Sequence, residues 1–191
     1  MFVAGATGVI GRRLVPLLVD AGHDVAGMTR SSEKVELLQR LGAAPVVCDV
    51  YARGALADAV GDLEPDVVVG LLTDLPDDLA DFESFRKRND RMRQEGMRNL
   101  LAAAQAANAP RFLAESIAWQ LPGEHGEAVA DMERAVLEAG GVILRYGQLY
   151  GPGTFYEREL PDPPRVHVDE AAKRTADLLD AKSGVATIVD V

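Results

Sequence analysis

Gly5-Ala6-Thr7-Gly8-Val9-Ile10-Gly11 follows the short apolar run Phe2-Val3-Ala4 and opens the first helical stretch, with Arg12 and Arg13 just inside it. A strand, a glycine-rich turn and a helix in this order have a physical use. One glycine permits the tight turn, one lets backbone amides approach a pyrophosphate, and one lets helix and strand pack closely. The helix start adds unpaired N–H groups and the positive end of its dipole. A bare glycine triplet says little, and a purely structural turn is the alternative. The position of the triplet between a strand and a helix is what gives it meaning.

Outward from this turn, short β-rich runs alternate with helical spacing. Strands are expected at Phe2–Ala4, Asp24–Thr29, Pro45–Cys48, Asp66–Leu72, Arg111–Glu115, Val142–Tyr146 and Val185–Val189. Several are continuous Val/Ile/Leu runs, as in parallel strands covered on both faces. Met97, Leu100, Leu101 and Ala104 share one helical face, and Val129, Met132, Val136 and Ala139 share another. Gly22, Gly42 and Gly140-Gly141 stand where helices should stop. Repeated units of this kind imply an α/β fold, a doubly wound parallel sheet with right-handed crossovers. Pro16 falls inside the first helix and predicts a bend there. Gly151 to Arg165, with Pro152, Pro161, Pro163 and Pro164, reads as an irregular loop ahead of the last helix.

At 191 residues, 48% hydrophobic and 26% charged, the chain suits one domain spanning residues 1–191. The net charge of −10 argues against a nucleic-acid or anionic-membrane partner, so any phosphate must be held locally. The single cysteine, Cys48, excludes an intrachain disulfide framework and suits a reducing compartment. The longest apolar stretch, Val67 to Leu72, is far short of the ~20 residues of a membrane span. Met1 leads straight into Phe2-Val3-Ala4 without a basic leader, so a cytoplasmic location is expected. Three scattered histidines and one cysteine offer no metal-ligand spacing.

The GATGVIG stretch resembles the short-chain dehydrogenase/reductase superfamily in its extended and atypical branches, those of the NAD-dependent epimerases and dehydratases. The resemblance covers most of the chain. Cys48-Asp49-Val50 is similar to the family's acidic element after the third strand, which contacts adenine. Asn99-Leu100-Leu101-Ala102-Ala103-Ala104 resembles its central helix, and Arg111-Phe112-Leu113 the strand leading to its serine. Leu144 to Thr154 resembles the R-x-x-x-x-Y-G-P-G segment, and Val166-His167-Val168-Asp169-Glu170-Ala171-Ala172 the I-H-V-D-D-x-A element. The resemblance implies a Rossmann domain in which Gly5, Thr7, Gly8, Val9, Ile10 and Gly11 cradle a pyrophosphate. It also implies that Asp49 and Val50 meet the adenine and that Leu71 and Leu72 line the adenine-ribose channel. A helix-paired homodimer follows by analogy with the family.

Cofactor choice is readable from the end of the second strand. An NAD-selective site carries Asp or Glu there, about 20 residues past the glycines. This chain has Met28-Thr29-Arg30-Ser31-Ser32. A guanidinium can bind a 2′-phosphate that a carboxylate would repel, so NADP(H) is expected over NAD, with Arg30 as the selecting residue. A solvated surface charge is the alternative for Arg30; Arg12 and Arg13, just inside the first helix, are expected to be solvated, with a contribution to cofactor binding as their alternative.

The catalytic end departs from the family. The resemblance puts its serine at Ser116, but the Tyr-x-x-x-Lys pair is missing. Four residues after Tyr51, Tyr146, Tyr150 and Tyr156 stand Ala55, Tyr150, Thr154 and Leu160. The tyrosine position falls near His125 and the lysine position near Val129. His125, in a loop reading, is a candidate because histidine is the side chain suited to acid/base work near neutral pH, with an exposed bystander as the alternative. Tyr150 is a further candidate, with a packing aromatic as its alternative. His167 reads as a hydrogen-bonding residue ahead of the last helix, whose first turn Asp169 and Glu170 suit. Asp74, Asp77, Asp78, Asp81 and Glu83 before Arg86, Lys87, Arg88, Arg91 and Arg93 read as a solvated helix entry, with Asn89 and Arg93 on one face. Only Phe155 to Arg165 stands where extended members carry a substrate subdomain. The expected activity is an NADP(H)-dependent oxidoreductase or epimerase/dehydratase-like enzyme on a small hydroxyl or carbonyl compound. The alternatives are a non-catalytic dinucleotide sensor, like the NmrA-type regulators, and a non-redox isomerase or lyase with His125 as base.

Overall fold

Runs of Val, Ile and Leu too short for helices and covered on both sides set the architecture. The computed structural model describes residues 1–76 and 82–190. Among these, seven parallel strands form one sheet: β1 (Phe2–Ala4), β2 (Ala26–Thr29), β3 (Ala44–Val47), β4 (Val67–Gly70), β5 (Arg111–Ile117), β6 (Val142–Tyr146) and β9 (Gly184–Ile188). Their order is β3-β2-β1-β4-β5-β6-β9, so the chain reverses direction of growth between β1 and β4. That switch point opens a crevice at the C-terminal ends of the strands, where such sheets hold ligands. The fold is a single Rossmann-like domain, and every expected strand is present with ends shifted by up to two residues.

Two apolar layers flank the sheet. α1 (Gly11–Asp20), α2 (Val35–Arg40) and α7 (Val168–Asp177) cover one face, with Leu14, Leu18, Leu38 and Ala171 packed on Val3, Val69, Leu113 and Leu144. α3 (Arg53–Gly61), α5 (Met97–Ala106) and α6 (Gly123–Glu138) cover the other, with Leu56, Met97, Leu100 and Met132 on Phe2, Val68, Phe112 and Ile143. Burial of each Leu, Val, Ile, Met or Phe side chain among these contributes roughly 2 kcal/mol. α1 runs through Pro16 as one helix, and Gly22 and Gly42 end α1 and α2 with positive φ.

α4 (Phe82–Arg91) passes into α5 through a π-helical turn, Met92–Gly96. A Cβ at Gly96 would lie 2.7 Å from Met92 Sδ and 3.0 Å from Val50 Cγ1, so a larger residue would require these side chains to shift. Asp77, Asp78 and Asp81 of the expected acidic entry lie outside the described residues.

The 151–165 region is less irregular at its borders than the prolines suggest. β7 (Gln148–Tyr150) pairs in parallel with β8 (Arg165–His167) as a separate two-stranded ribbon. Arg165 therefore belongs to a strand rather than to the loop. Proline patterning misses this because the pairing partner lies beyond the loop itself.

Candidate cofactor and active site

At the β1–α1 turn each glycine has a distinct geometric role. Gly5 adopts φ +82°, and a Cβ there would lie 2.1 Å from the Leu71 carbonyl oxygen. At Gly11 a Cβ would meet the Gly5 carbonyl oxygen at 2.3 Å, so this glycine lets α1 pack onto the turn. Gly8 is different. It is exposed, and the nearest atom to a Cβ would be the Gly5 oxygen at 3.2 Å. Gly5 and Gly11 are thus required by the protein's own backbone, while Gly8 leaves open the approach that a pyrophosphate would use. Arg12 in the same turn has its Nε buried with no hydrogen-bond partner among the described residues. An orphaned guanidinium nitrogen beside an open helix N-terminus fits a phosphate group.

Thr7 and Val9 are half-buried and Ile10 is buried in the core. Leu71 is also a core residue, and half-buried Leu72 beside it keeps accessible surface. Asp49 is exposed, and its Oδ1 accepts from the Tyr51 N–H at 2.9 Å. Val50 is buried, and its carbonyl accepts from Asn99 Nδ2 at 3.1 Å, which ties the central helix to this loop.

Arg30 lies on the surface at the end of β2, with 61% of its side chain exposed. Its Nη2 is 3.4 Å from Asp74 Oδ1. Asp74 is buried and is gripped by Arg88, Nε to Oδ2 and Nη2 to Oδ1, both at 3.0 Å. Asn89 Oδ1 accepts from the Asp74 N–H at 3.1 Å. Arg30 leaves β2 and Asp74 follows β4, the two neighbours of β1, so two guanidinium groups converge on one carboxylate beside the switch point.

Arg13 is not the solvated charge expected of it. It bonds the Asp169 carboxylate through Nε, the Val9 carbonyl through Nη1 at 2.9 Å and the Pro152 carbonyl through Nη2 at 2.7 Å. It pins the Tyr-Gly-Pro-Gly loop to α1. Its partners are 139 and 156 positions away, out of reach of any local pattern.

At the β5–α6 end the candidate side chains are tied to one another. Ser116 is buried and its Oγ donates to Glu133 Oε1 at 2.5 Å. Arg145 of β6 holds the same carboxylate, Nε to Oε1 at 2.9 Å and Nη2 to Oε2 at 2.5 Å. Burial acts to raise the Glu133 carboxyl, and the Arg145 and Ser116 bonds more than offset it, leaving it below the ordinary range. To polarise a substrate, Ser116 would have to give up that bond. Glu133 carried no sequence signal except as one of several charges on a helix.

His125 sits in the first turn of α6 rather than in a loop, with Nδ1 2.5 Å from Asp90 Oδ2. Tyr150 belongs to β7 and stacks edge-on against His167, ring centroids 5.2 Å apart. A hydrogen bond with Asp190 and burial raise its phenol. These neighbours place Tyr150 with the β7–β8 ribbon and the segment after β9, while Pro152 two residues on is tied to α1 through Arg13. His167 caps α7, Nδ1 accepting from the Asp169 N–H at 3.3 Å, as its position ahead of Asp169 and Glu170 suggested.

The model of a family described as NAD(P)H-binding matches residues 5–144, from the first glycine of the turn through β6. The chain belongs to that family. Among curated relatives, a 3-diazoavenalumate denitrifying reductase of a Streptomyces species is 37% identical over 183 aligned residues, covering 83% of this chain and 59% of the relative. A 3-beta-hydroxysteroid dehydrogenase of Mycolicibacterium neoaurum is 28% identical, covering 59% of this chain and 30% of the relative. The chain thus spans less than two thirds of the length of these relatives. The UDP-glucose 4-epimerase of Thermus thermophilus, solved with NAD, superposes with a TM-score of 0.77 at 17% identity, covering 98% of this chain and 76% of the epimerase. The dTDP-glucose 4,6-dehydratase DesIV of Streptomyces venezuelae gives 0.76 at 17%, covering 98% and 74%. At that identity the likeness is one of fold. Among the described residues no helix is long and apolar enough to cross a membrane.

Proposed function

We propose that this chain is the dinucleotide-binding domain of an NADP(H)-dependent oxidoreductase that acts on a small hydroxyl or carbonyl compound in the cytoplasm. The observation that carries the reading is the exposed Gly8, left open between two glycines that the backbone itself requires. The bound dinucleotide would supply or accept hydride. The N–H groups at the start of α1 and the Arg12 guanidinium would hold its pyrophosphate, and Asp49 would meet the adenine.

Arg30 would bind the 2′-phosphate, releasing Asp74, which keeps its bidentate partner Arg88. The Arg30 contact is a single long one, 3.4 Å from a mostly exposed side chain, and buried Asp74 keeps both oxygens bonded to Arg88 when Arg30 turns to a charge-assisted phosphate contact. The test is titration calorimetry with NADPH and NADH. Tighter binding of NADPH is expected, and Arg30→Ala should cut that preference about tenfold, leaving NADH affinity nearly unchanged. Absence of binding of either dinucleotide at millimolar levels ends the proposal.

A second reading is a sensor that binds dinucleotide without turnover. It is favoured by the Ser116 hydroxyl being held by Glu133 and by Val129 standing in the lysine position. A panel of carbonyl compounds, extended to a diazo compound because of the reductase relative, separates the two: NADPH oxidation with any member supports catalysis.

A further inference from the structure

A second charged cluster lies beside the β5–α6 end, where the family's Tyr/Lys pair is absent. His125 in the first turn of α6 meets Asp90 of α4, Nδ1 to Oδ2 at 2.5 Å, with side chains 24% and 14% exposed. The other Asp90 oxygen, Oδ1, is buried with no hydrogen-bond partner among the described residues, and Arg93 Nη1 stands 4.0 Å from it. Arg93 is the second residue of the π-turn, and only 13% of its side chain is exposed. It also faces Glu115 of β5, the residue before Ser116. π-Turns inside α-helices frequently mark functional sites, because the extra residue re-aims side chains inward. Here the turn stands where the helix carries a buried guanidinium between the carboxyl groups of Asp90 and Glu115, on different elements.

A half-exposed surface histidine needs none of this. A carboxylate and a balancing arginine, both largely withdrawn from water, are costly to assemble unless they pair well. What the carboxylate does for the ring is specific. By accepting from Nδ1–H it selects one tautomer and leaves Nε2 as the nitrogen that can exchange a proton with a ligand.

We infer that His125 is the proton-transfer group of this protein, with Asp90 as its positioning residue and Arg93 as the cation that balances Asp90. The inference rests on the oxidoreductase reading above. In the reducing direction the substrate C=O π bond breaks and its carbon gains a hydride, whose electron pair comes from the reduced dinucleotide, itself oxidised. The oxygen gains a proton from Nε2 of the doubly protonated His125 ring, which is left as the neutral Nδ1–H ring held by Asp90, and solvent restores the Nε2 proton. Asp90 does not change its protonation in the step.

The experiment uses the whole 15N-labelled chain and long-range proton–nitrogen spectra of the imidazoles, with His23 and His167 assigned by substitution. The neutral His125 ring should be the Nδ1–H tautomer, and Asp90→Asn should return it to the Nε2–H form that free imidazoles favour. Both the His125 signals and calorimetry should respond to added NADPH. An Nε2–H ring in the unmodified chain overturns the inference without any variant having to fold. So does a tautomer that Asp90→Asn leaves unchanged. Dinucleotide binding that leaves the His125 signals unmoved overturns the inference while the cofactor reading stands. No dinucleotide binding, with the Nδ1–H ring intact, sinks the oxidoreductase reading and the catalytic role together. On a substrate that turns over, Asp90→Asn should lower kcat about 10–100-fold with little change in KM; equal loss in KM instead marks Asp90 as part of a binding surface and overturns its positioning role.

Discussion

The two ends of the crevice solve different problems with different materials. At the β1–α1 turn the essential features are backbone: positive φ at Gly5, close packing at Gly11 and open space at Gly8. At the β5–α6 end they are side chains neutralising one another across elements, Ser116–Glu133–Arg145 on one side and His125–Asp90–Arg93 on the other. A backbone device tolerates little change and is legible in sequence. A side-chain network can exchange its members while the fold persists, and here Tyr and Lys are replaced without loss of the sheet. On the proposed function, binding the dinucleotide would rest on the first end and chemistry on the second.

The sharpest way to break this comparison is at the glycines. Gly5→Ala places a Cβ against the Leu71 carbonyl in a left-handed backbone, and is expected to destabilise the fold by about 4 kcal/mol or more in denaturant unfolding. Gly8→Ala should leave stability within about 1 kcal/mol and, on the proposed function, weaken dinucleotide binding at least tenfold, because the added Cβ would enter the open space proposed for the pyrophosphate. Equal destabilisation by both variants would remove the distinction between a structural and a ligand-facing glycine.

Next in size is the buried carboxylate of the other end. Glu133→Ala strands Arg145 and Ser116 and should cost about 3 kcal/mol, while Ser116→Ala removes one hydrogen bond and should cost about 1 kcal/mol. Thermal unfolding of both variants measures the ratio, and a larger loss from Ser116→Ala would mean that the serine, not the ion pair, organises the network.

The third test is pH. Burial pushes the Glu115 carboxyl up to about 7 from an ordinary 4.5, with Arg93 opposing. The folded state then holds this proton more tightly than the unfolded chain. Its stabilising contribution is complete below about pH 4.5 and is lost as pH rises through about 7. The gap between those values corresponds to at most about 3 kcal/mol, reduced by the water that reaches this half-buried side chain. Glu115→Gln should flatten the pH dependence of denaturant unfolding between pH 5 and about 8. An unchanged slope would place the buried proton elsewhere.

Much of the fold was legible because its signals are local. Strand positions, helix-ending glycines, the His167 cap and the glycine turn each depend on a few consecutive residues and on the periods of helix and strand. The β7–β8 ribbon was not legible, since Gln148–Tyr150 becomes a strand only when Arg165–His167 returns beside it. Arg13 looked like a surface charge for the same reason, and His125 looked like a loop residue because the glycines around it hide the start of α6.

By itself the amino-acid sequence determined that this is a doubly wound parallel sheet with a phosphate-shaped turn after its first strand, because backbone freedom and apolar periodicity are written residue by residue. The tertiary structure alone decided which charges meet: Arg30 with Asp74, Arg13 with Pro152 and Asp169, Asp90 with His125, Glu133 with Arg145. Each of these pairings depends on where helices cross the sheet and on strand register, which bring residues far apart in the chain within hydrogen-bond distance and leave no mark on either residue's own neighbourhood.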